Sequence, residues 1–408
     1  MNNQPNMKQA TQAVNPHGPR PETSQAAASG PQPTLLGNVY FKFILFGVAL
    51  GLIGASQSLG IIKASTLGYL GNVLIYAVVA LGLNLLLGYS GLITLGTAGF
   101  MGFGSYLAAY FTSDMDISFW GALLIAIIVP TLFGVVIGFV SLRIEGIYLA
   151  IATLCVSEIL LKTFEEAEEL TGGMQGKKAS YPNLFGFQLD RLTTYILLVV
   201  VLVLIMMLTY NLVNGQMGRA FHAMRGSEVA AAAMGVNLLK YRLISFALAT
   251  AYAGLGGALY AFFIKFTYPS VWNINLSLYV LAAVVIGGMR SIYGTVIGAF
   301  VVWAVPDLIL KNLPIIGKIS GVPYIFNGIL IIVVIMFYPN GLAGIGNTLK
   351  AKAMAMIASG AGTGPKGAST QADTRTPGSP SGAAQSPAPA QGDAAIRPGA
   401  DSGEGVSK

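Results

Sequence analysis

Long apolar runs alternate with short polar segments through most of this chain. A window of about 19 residues, the length at which transmembrane helices are recognised, detects ten apolar segments. They cover residues 40–59, 67–87, 92–111, 119–142, 147–164, 192–213, 243–263, 276–289, 293–310 and 322–337. The pattern predicts an all-α integral membrane protein of about ten transmembrane helices, with the membrane domain over residues 39–346.

The two ends of the chain have a different composition. Residues 1–38 are rich in Pro, Gln, Asn and Ala without an apolar run, and residues 347–408 consist largely of Gly, Ala, Pro, Ser and Thr. Such segments cannot bury enough apolar surface to fold. We expect both to be disordered tails outside the membrane domain.

Lys and Arg are slightly more numerous in the loops on one side of the predicted membrane, which makes that side cytoplasmic by the positive-inside rule. An even number of spans puts both tails on this side. The polar stretch 215–241 is expected there too, and the loop 164–191 on the outer side.

Composition excludes several classes of protein. The chain is 54% hydrophobic and 10% charged, whereas soluble domains carry about 25% charged residues. The net charge of +7 is scattered between apolar runs, so no nucleic-acid partner is expected. The one cysteine, Cys155, and the two histidines, His17 and His222, are far apart, so no metal site or cofactor is expected. Residues 172–177 lack the spacing of a phosphate-binding loop, so the chain is not expected to hydrolyse ATP itself.

The polar stretch 215–241 is longer than a turn between two membrane helices needs, and it has room for two short helices. Small residues recur at helical spacing after Glu228, at Ala231, Ala232 and Gly235. Positive charge comes mainly from arginine. This pattern favours a contact surface for another protein; the alternative is a solvated basic loop that fixes the orientation of the chain.

Glycines crowd two regions, residues 88–104 and 287–298. Gly134-x-x-x-Gly138 and Gly294-x-x-x-Gly298 fit the small-residue pattern of tightly packed membrane helices. Two glycine-interrupted segments in the two halves of a chain also indicate an inverted repeat with a path near the membrane midplane. We therefore predict close helix packing and a possible inverted repeat.

A translocation path is predicted near the first of these regions. Small and hydroxyl side chains leave room there and offer weak hydrogen bonds. The candidates are Ser90, Thr94, Gly96, Thr97 and Gly104, with Glu158 as their polar neighbour. Asp307 is a second ionisable residue within a predicted span, and an acidic run, residues 165–169, opens the predicted outer loop.

Several stretches together resemble a known family. They are YSGLITLGTAGFMGFGSY at 89–106, LRIEGIYLAIATL at 142–154, LTGGMQG at 170–176, GRA at 218–220, AGLGGALY at 253–260, VIGGMRSIYG at 285–294 and PNGL at 339–342. In this order they look like the LivM-type permease of branched-chain amino acid ABC importers. The resemblance covers about residues 67–344.

The resemblance implies a non-catalytic subunit of the bacterial inner membrane, surrounded by lipid. Its implied partners are a second, LivH-type permease, two cytoplasmic ABC ATPase subunits and a periplasmic or lipid-anchored binding protein. A cytoplasmic loop would dock in the ATPase, here with Gly218, Arg219, Arg225, Glu228, Ala231 and Gly235. Sister families for urea and short-chain amides share this scaffold, and a secondary transporter and a channel are further alternatives.

Overall fold

The computed structural model describes residues 39–57, 64–141, 146–180, 183–184, 187–308, 322–337, 341–342 and 344. The two predicted tails lie outside these residues. The helices in chain order are α1 (Val39–Ala55), α2 (Ala64–Leu83), α3 (Thr97–Ser113), α4 (Phe119–Ser141), α5 (Ile147–Glu166), α6 (Glu168–Thr171), α7 (Arg191–Asn214), α8 (Gln216–Gly226), α9 (Glu228–Ala233), α10 (Leu238–Ile264), α11 (Ile274–Gly287), α12 (Ile292–Ala299), α13 (Val305–Leu308) and α14 (Val322–Phe337). Segments of π-helix extend α2 over Asn84–Ser90 and α12 over Phe300–Ala304.

Four two-residue strands and two 3-10 turns complete the secondary structure of the described residues. The strands are β1 (Lys177–Lys178), β2 (Asn183–Leu184), β3 (Phe187–Gln188) and β4 (Phe266–Thr267), and the turns are Gly173–Gln175 and Pro269–Val271. β1 pairs antiparallel with β4, and β2 pairs antiparallel with β3.

Within the described residues, six stretches are long and apolar enough to cross a bilayer. They are Ser65–Ser90, Phe119–Ser141, Ile147–Glu166, Arg191–Asn214, Leu238–Ile264 and Pro269–Gly287. α1 and Ile292–Ala304 are apolar but shorter. The all-α membrane fold is therefore confirmed, whereas the predicted count of about ten spans is not. Asp307 belongs to α13, but its side chain lies outside the described residues.

α2 is the central helix. In its membrane-spanning part 94% of the residues are buried, against 28% for α4. α2 packs against α7, α10, α11 and α12. Its sequence is apolar around the whole circumference, which is expected of a helix that contacts protein on all sides.

Close backbone contacts join α3, α4 and α10. Gly104 of α3 lies directly against the backbone of Gly254, and Gly257 lies against the carbonyl of Met101, so neither position has room for a Cβ. Pro130 of α4 has no N–H to offer the carbonyl of Ala126, and Gly254 packs on that carbonyl. Small residues allow membrane helices to approach in this way.

The predicted glycine motifs are confirmed as packing positions. Gly134 and Gly138 of α4 face Thr250 and Phe246 of α10. At the second motif, Gly294 and Gly298 of α12 pack against the backbone of Gly287 in α11.

Two short non-helical segments, which we call the helix breaks, separate consecutive membrane helices. Residues 91–96 between the π-segment of α2 and the start of α3 are not helical, and Gly91 there has a φ of 82°. Residues 288–291 separate α11 from α12, with a φ of 106° at Gly288 and 66° at Arg290. These are the two glycine-rich regions of the sequence; the inverted repeat itself stays a prediction.

The helix ends gather at two opposite ends of the protein. At the first, which we call the α8–α9 end, the Tyr40 hydroxyl of α1 donates to Asn211 Oδ1 near the end of α7, at 2.5 Å. Gly341 packs there against Gly288. At the other, the β1–β4 end, Ser113 Oγ donates to the carbonyl of Lys178, at 2.8 Å. The first and last described helices therefore begin and end at the α8–α9 end.

Replacing Gly257 by Ala should destabilise the protein, because the added methyl group would overlap the carbonyl of Met101. Overpacking of this kind costs about 1–3 kcal/mol. The matched control is Gly51→Ala in α1, where a Cβ meets no atom within 4 Å. Thermal unfolding in detergent should show a lower midpoint for Gly257→Ala only. Equal midpoints for the two variants would contradict the close α3–α10 contact.

Candidate functional site

Two short helices, α8 and α9, occupy the polar stretch between α7 and α10. The Ser227 hydroxyl between them accepts a hydrogen bond from the N–H of Ala230, at 3.3 Å, which is the usual N-cap interaction of serine. Gly235 follows α9 with a φ of 82°, a left-handed conformation that glycine adopts without strain at a helix end. The segment is therefore an ordered pair of helices and not an open loop.

Some of the predicted docking residues attach this segment to the protein. Gly218 is buried, and a Cβ there would overlap the carbonyl of Val213 at the end of α7. Ala231 is only 2% exposed. Glu228 forms an ion pair with Arg242 of α10. Of the predicted set, Arg219, Glu228 and Gly235 are exposed.

Two exposed apolar side chains that the sequence prediction did not include lie at the start of α9 and directly after its end. Val229 is 83% exposed and Met234 is 84% exposed. Their signal in the sequence was weak, because one Val and one Met stand among alanines. Exposed apolar side chains grouped on one rigid element are typical of contact surfaces.

Arg225 at the end of α8 contacts the end of α2. Its Nη1 donates to the carbonyl of Leu87, at 2.8 Å, and also to the carbonyl of Gly88. The last carbonyls of a helix lack partners within the helix, and a cation there also interacts favourably with the helix dipole. Burial and, to a lesser extent, the neighbouring Arg290 lower the pKa of Arg225 from its usual value. Arginine nevertheless stays charged in proteins, so this contact holds at any physiological pH.

The same end of α2 is bonded to the second helix break. Asn84 is completely buried, and its Oδ1 accepts from the N–H of Arg290, at 3.0 Å. Its Nδ2 donates to the carbonyl of Ser291, at 3.4 Å. The Tyr89 hydroxyl donates to the carbonyl of Arg290, at 2.6 Å. Arg225 also approaches this break, with Nη2 at 4.0 Å from the sulfur of Met289.

These contacts define the candidate functional site, which we call the break junction: Asn84, Leu87–Tyr89, Arg225 and Met289–Ser291. It joins α8 to the end of α2, directly before the first break, and to the second break. Sequence analysis selected Arg225 but missed Asn84, Tyr89 and Arg290. The long sequence separation between Asn84 and Arg290 left no local pattern to reveal their contact.

Hydroxyl groups from neighbouring helices bind the start of α3. The backbone N–H of Leu95 donates to Thr153 Oγ1 at 3.1 Å, that of Ala98 to Ser277 Oγ at 2.9 Å, and that of Gly99 to Ser157 Oγ at 3.0 Å. The first N–H groups of a helix have no intrahelical acceptor, and membrane interiors tolerate free backbone groups only where protein or water satisfies them. Thr153, Ser157 and Ser277 therefore stabilise the break.

The predicted path residues near this break are buried. Ser90 Oγ donates to the carbonyl of Leu86, at 2.6 Å. Thr94 and Thr97 line a cavity between α2, α3 and α10, together with Phe100 and other apolar side chains. Its volume of ≈ 10 Å³ is on the order of one water molecule. The structure is thus closed to an amino acid at this point.

The other three predicted path residues have different surroundings. Gly96 precedes α3 and packs on Thr153, and Gly104 packs on Gly254. Glu158 lies on the exposed face of α5, whereas Thr153 and Ser157 of the same helix are buried against α3. The structure therefore does not bring Glu158 together with Thr94 and Thr97. That all six line one path stays a prediction.

Comparison with known proteins identifies the family of the chain. Residues 65–338 match the family model described as "Branched-chain amino acid transport system / permease component". The high-affinity branched-chain amino acid transport system permease protein LivM of Salmonella typhimurium is 29% identical over 66% of this chain and 68% of its own length. LivM of Escherichia coli is 29% identical over 78% of this chain and 79% of its own.

A probable branched-chain amino acid transport permease protein LivM of Methanocaldococcus jannaschii is 24% identical over 54% of this chain and 68% of its own length. No match was found among solved structures. The family match spans well over half of the sequence and contains both helix breaks, α8 and α9. The chain belongs to the permease component family of branched-chain amino acid transport systems.

Proposed function

We propose that this chain is the permease subunit of an ATP-driven importer and forms part of the path for branched-chain or related hydrophobic amino acids. Its family membership and the names of its relatives support the transport role. The break junction carries the mechanism, because Arg225 connects α8 to the carbonyls at the end of α2. ATP hydrolysis takes place in separate ATPase subunits.

In this mechanism α9 receives the motion of the ATPase. Val229 and Met234 enter a groove of that subunit, and the buried Ala231 and the Glu228–Arg242 ion pair keep α9 attached to the permease. A displacement of α8 moves Arg225 and with it the two helix breaks. The cavity at Thr94 and Thr97 opens when the breaks separate.

The α8–α9 end faces the cytoplasm in this proposal, and both termini lie on that side. The β1–β4 end then faces the binding protein. There Lys177 Nζ forms a 2.6 Å ion pair with Asp114, and Gly172, Gly173 and Gly176 all have left-handed φ values that shape the turn. Leu170 is 53% exposed and Met174 is 74% exposed on this surface, next to the acidic run. We assign this surface to the binding protein.

A permease for urea or short-chain amides is the alternative substrate class, since selection depends largely on the binding protein. A secondary transporter is the alternative mechanism. The exposed helix pair α8–α9 and its connection to the breaks favour an ATPase partner, because a secondary transporter has no use for such a connection.

The function is tested by reconstitution. The chain, a second permease subunit, two ATPase subunits and the binding protein should together take up L-leucine into proteoliposomes only when ATP is present on the ATPase side. The chain alone should give no uptake. Uptake by the chain alone would contradict the proposal, and competition by urea or acetamide but not by L-valine would favour the alternative substrate class.

Two matched substitutions distinguish the two contact surfaces. Met234→Glu should abolish co-purification of the ATPase subunits and leave binding-protein association unchanged, because a charge cannot enter an apolar groove without loss of hydration. Met174→Glu makes the same change at the opposite end and should weaken only binding-protein association. The reverse pattern would show that the orientation is inverted.

Substitution of Arg225 tests the connection between α8 and the breaks. Arg225→Gln should keep the ATPase subunits bound but reduce the number of amino acids transported per ATP about tenfold, the change that about 1.4 kcal/mol produces. Arg219→Gln removes the same charge from the exposed side of α8 and should leave this ratio close to that of the wild type. A normal ratio in Arg225→Gln would exclude the proposed connection.

A further inference from the structure

A second cavity, which we call the junction cavity, lies between the helix pair α8–α9 and the first break. Its volume is ≈ 460 Å³, within the range of small-molecule sites in proteins. One wall consists of the end of α2 and the first break, and the other of the end of α8 and the start of α9. The lining residues are Leu87, Ser90, Gly91, Ile93, Met224, Arg225, Gly226, Ser227 and Glu228.

Arg225 brings hydrogen-bond donors to this cavity. Its Nη1 is bonded to the carbonyls of Leu87 and Gly88, and its Nη2 contacts only the sulfur of Met289, at 4.0 Å. Among the described residues, no oxygen atom accepts a hydrogen bond from Nε or Nη2 of Arg225. A guanidinium presents its donors in a planar fork that matches a carboxylate. Nε and Nη2 are therefore available to the carboxylate of a ligand.

Glu228 adds a negative group to the same cavity. Its Oε2 forms the ion pair with Arg242, and its side chain is still 45% exposed. A carboxylate has about four acceptor positions, so Glu228 can also accept hydrogen bonds from an ammonium group. A cation and an anion of the protein thus line one cavity. This arrangement favours a ligand that carries both charges over a ligand that carries only one.

The rest of the lining includes three larger apolar side chains, Leu87, Ile93 and Met224. Leu87 and Met224 are buried, but Ile93 is 39% exposed. An aliphatic group of a ligand would remove the exposed part of Ile93 from water, which is favourable. A zwitterion with a short aliphatic side chain therefore matches the charged and the apolar parts of this cavity together.

We propose that the junction cavity binds a branched-chain amino acid from the cytoplasm, and that the bound amino acid inhibits import. The proposal rests on the proposed function, in which the α8–α9 end faces the cytoplasm and the first break moves during transport. A ligand between the two walls holds this break against the helix pair. A ligand that binds only one arrangement stabilises it, about elevenfold at a concentration ten times its Kd.

Equilibrium binding of radiolabelled L-leucine tests the site. The complex of the permease and ATPase subunits, purified without the binding protein, should bind L-leucine. Ile93→Trp should weaken this binding at least tenfold, because the indole ring occupies the cavity. The matched control is Leu239→Trp at the start of α10, which is 41% exposed and does not line the cavity, and it should bind like the wild type. Equal binding by the wild type and Ile93→Trp would overturn the proposal.

Competition by two analogues tests the need for both charges. N-acetyl-L-leucine keeps the carboxylate but has no ammonium group, and L-leucinamide keeps the ammonium group but has no carboxylate. Each should displace radiolabelled L-leucine at least tenfold more weakly than unlabelled L-leucine does. If either analogue competed as well as L-leucine, the assignment of a zwitterion to this cavity would be wrong.

The inhibition is measured in proteoliposomes that contain ATP and have the ATPase subunits inside. Unlabelled L-leucine enclosed in the lumen, at ten times its Kd, should lower the initial rate of uptake of external radiolabelled L-leucine about tenfold. Each rate is compared with that of the same variant with an amino-acid-free lumen, so a defect in assembly does not affect the ratio. Ile93→Trp should abolish the inhibition, and Leu239→Trp should keep it. Gly226→Leu, where a Cβ meets no atom within 4 Å, is a second variant that narrows the cavity and should also abolish it.

The outcomes separate this inference from the proposed function. Equal inhibition of the wild type and both cavity variants would show that luminal L-leucine acts elsewhere, and uptake by the wild type without any inhibition would show that it does not act at all. Either result would overturn the inference alone. A wild-type complex without ATP-dependent uptake would instead contradict the proposed function.

Discussion

Backbone groups that lose their helical partners inside a membrane must be bonded by other groups, and this constraint governs the structure. Two segments between helices, residues 91–96 and 288–291, are not helical within the membrane domain. Side chains bond backbone groups next to both breaks: Asn84 and Tyr89 bond the second break to the end of α2, and Arg225 binds the carbonyls that end α2. Removal of such bonds leaves polar groups unpaired in a medium without water, which is costly.

The helix pair α8–α9 is therefore attached to the membrane helices by hydrogen bonds and not only by apolar packing. α8 presents buried apolar residues to the membrane helices and Arg225 to the breaks, while α9 leaves Val229 and Met234 free. One short segment thus has an attached side and an unoccupied side. A segment that transmits motion from a partner subunit to a membrane path needs both sides: one attached to the membrane helices and one available to bind the partner.

Hydropathy alone identified the membrane class and most helices, because long apolar runs depend only on local composition. The glycine spacing also marked Gly134 and Gly298 correctly as positions of close helix packing. Glycine spacing marked the region of the break at residues 91–96 but not its bounds, since an apolar run has the same hydropathy whether or not its hydrogen bonds are helical. For the same reason residues 92–111 were expected as one span, whereas α3 begins at Thr97.

The candidate site was harder to predict. Helical spacing grouped Glu228, Ala231 and Gly235 on one face, but it does not tell which face is inside, and Ala231 proved to be buried. Asn84 and Arg290 are separated by 206 positions, so only the fold brings them together. The exposure of Glu158 likewise depends on which side of α5 meets α3, and this is set by Gly96 and Gly99.

The backbone contacts between α3, α4 and α10 limit how the protein can change shape. Where Gly104 touches Gly254 there are no side chains between the helices, hence no rotamers that could rearrange to let one helix slide past the other. We therefore expect these three helices to move together. In the proposed mechanism, shape change would then be concentrated in the few residues around Gly91 and Gly288, which have positive φ values, and a displacement of α8 would rotate α3, α4 and α10 together about them.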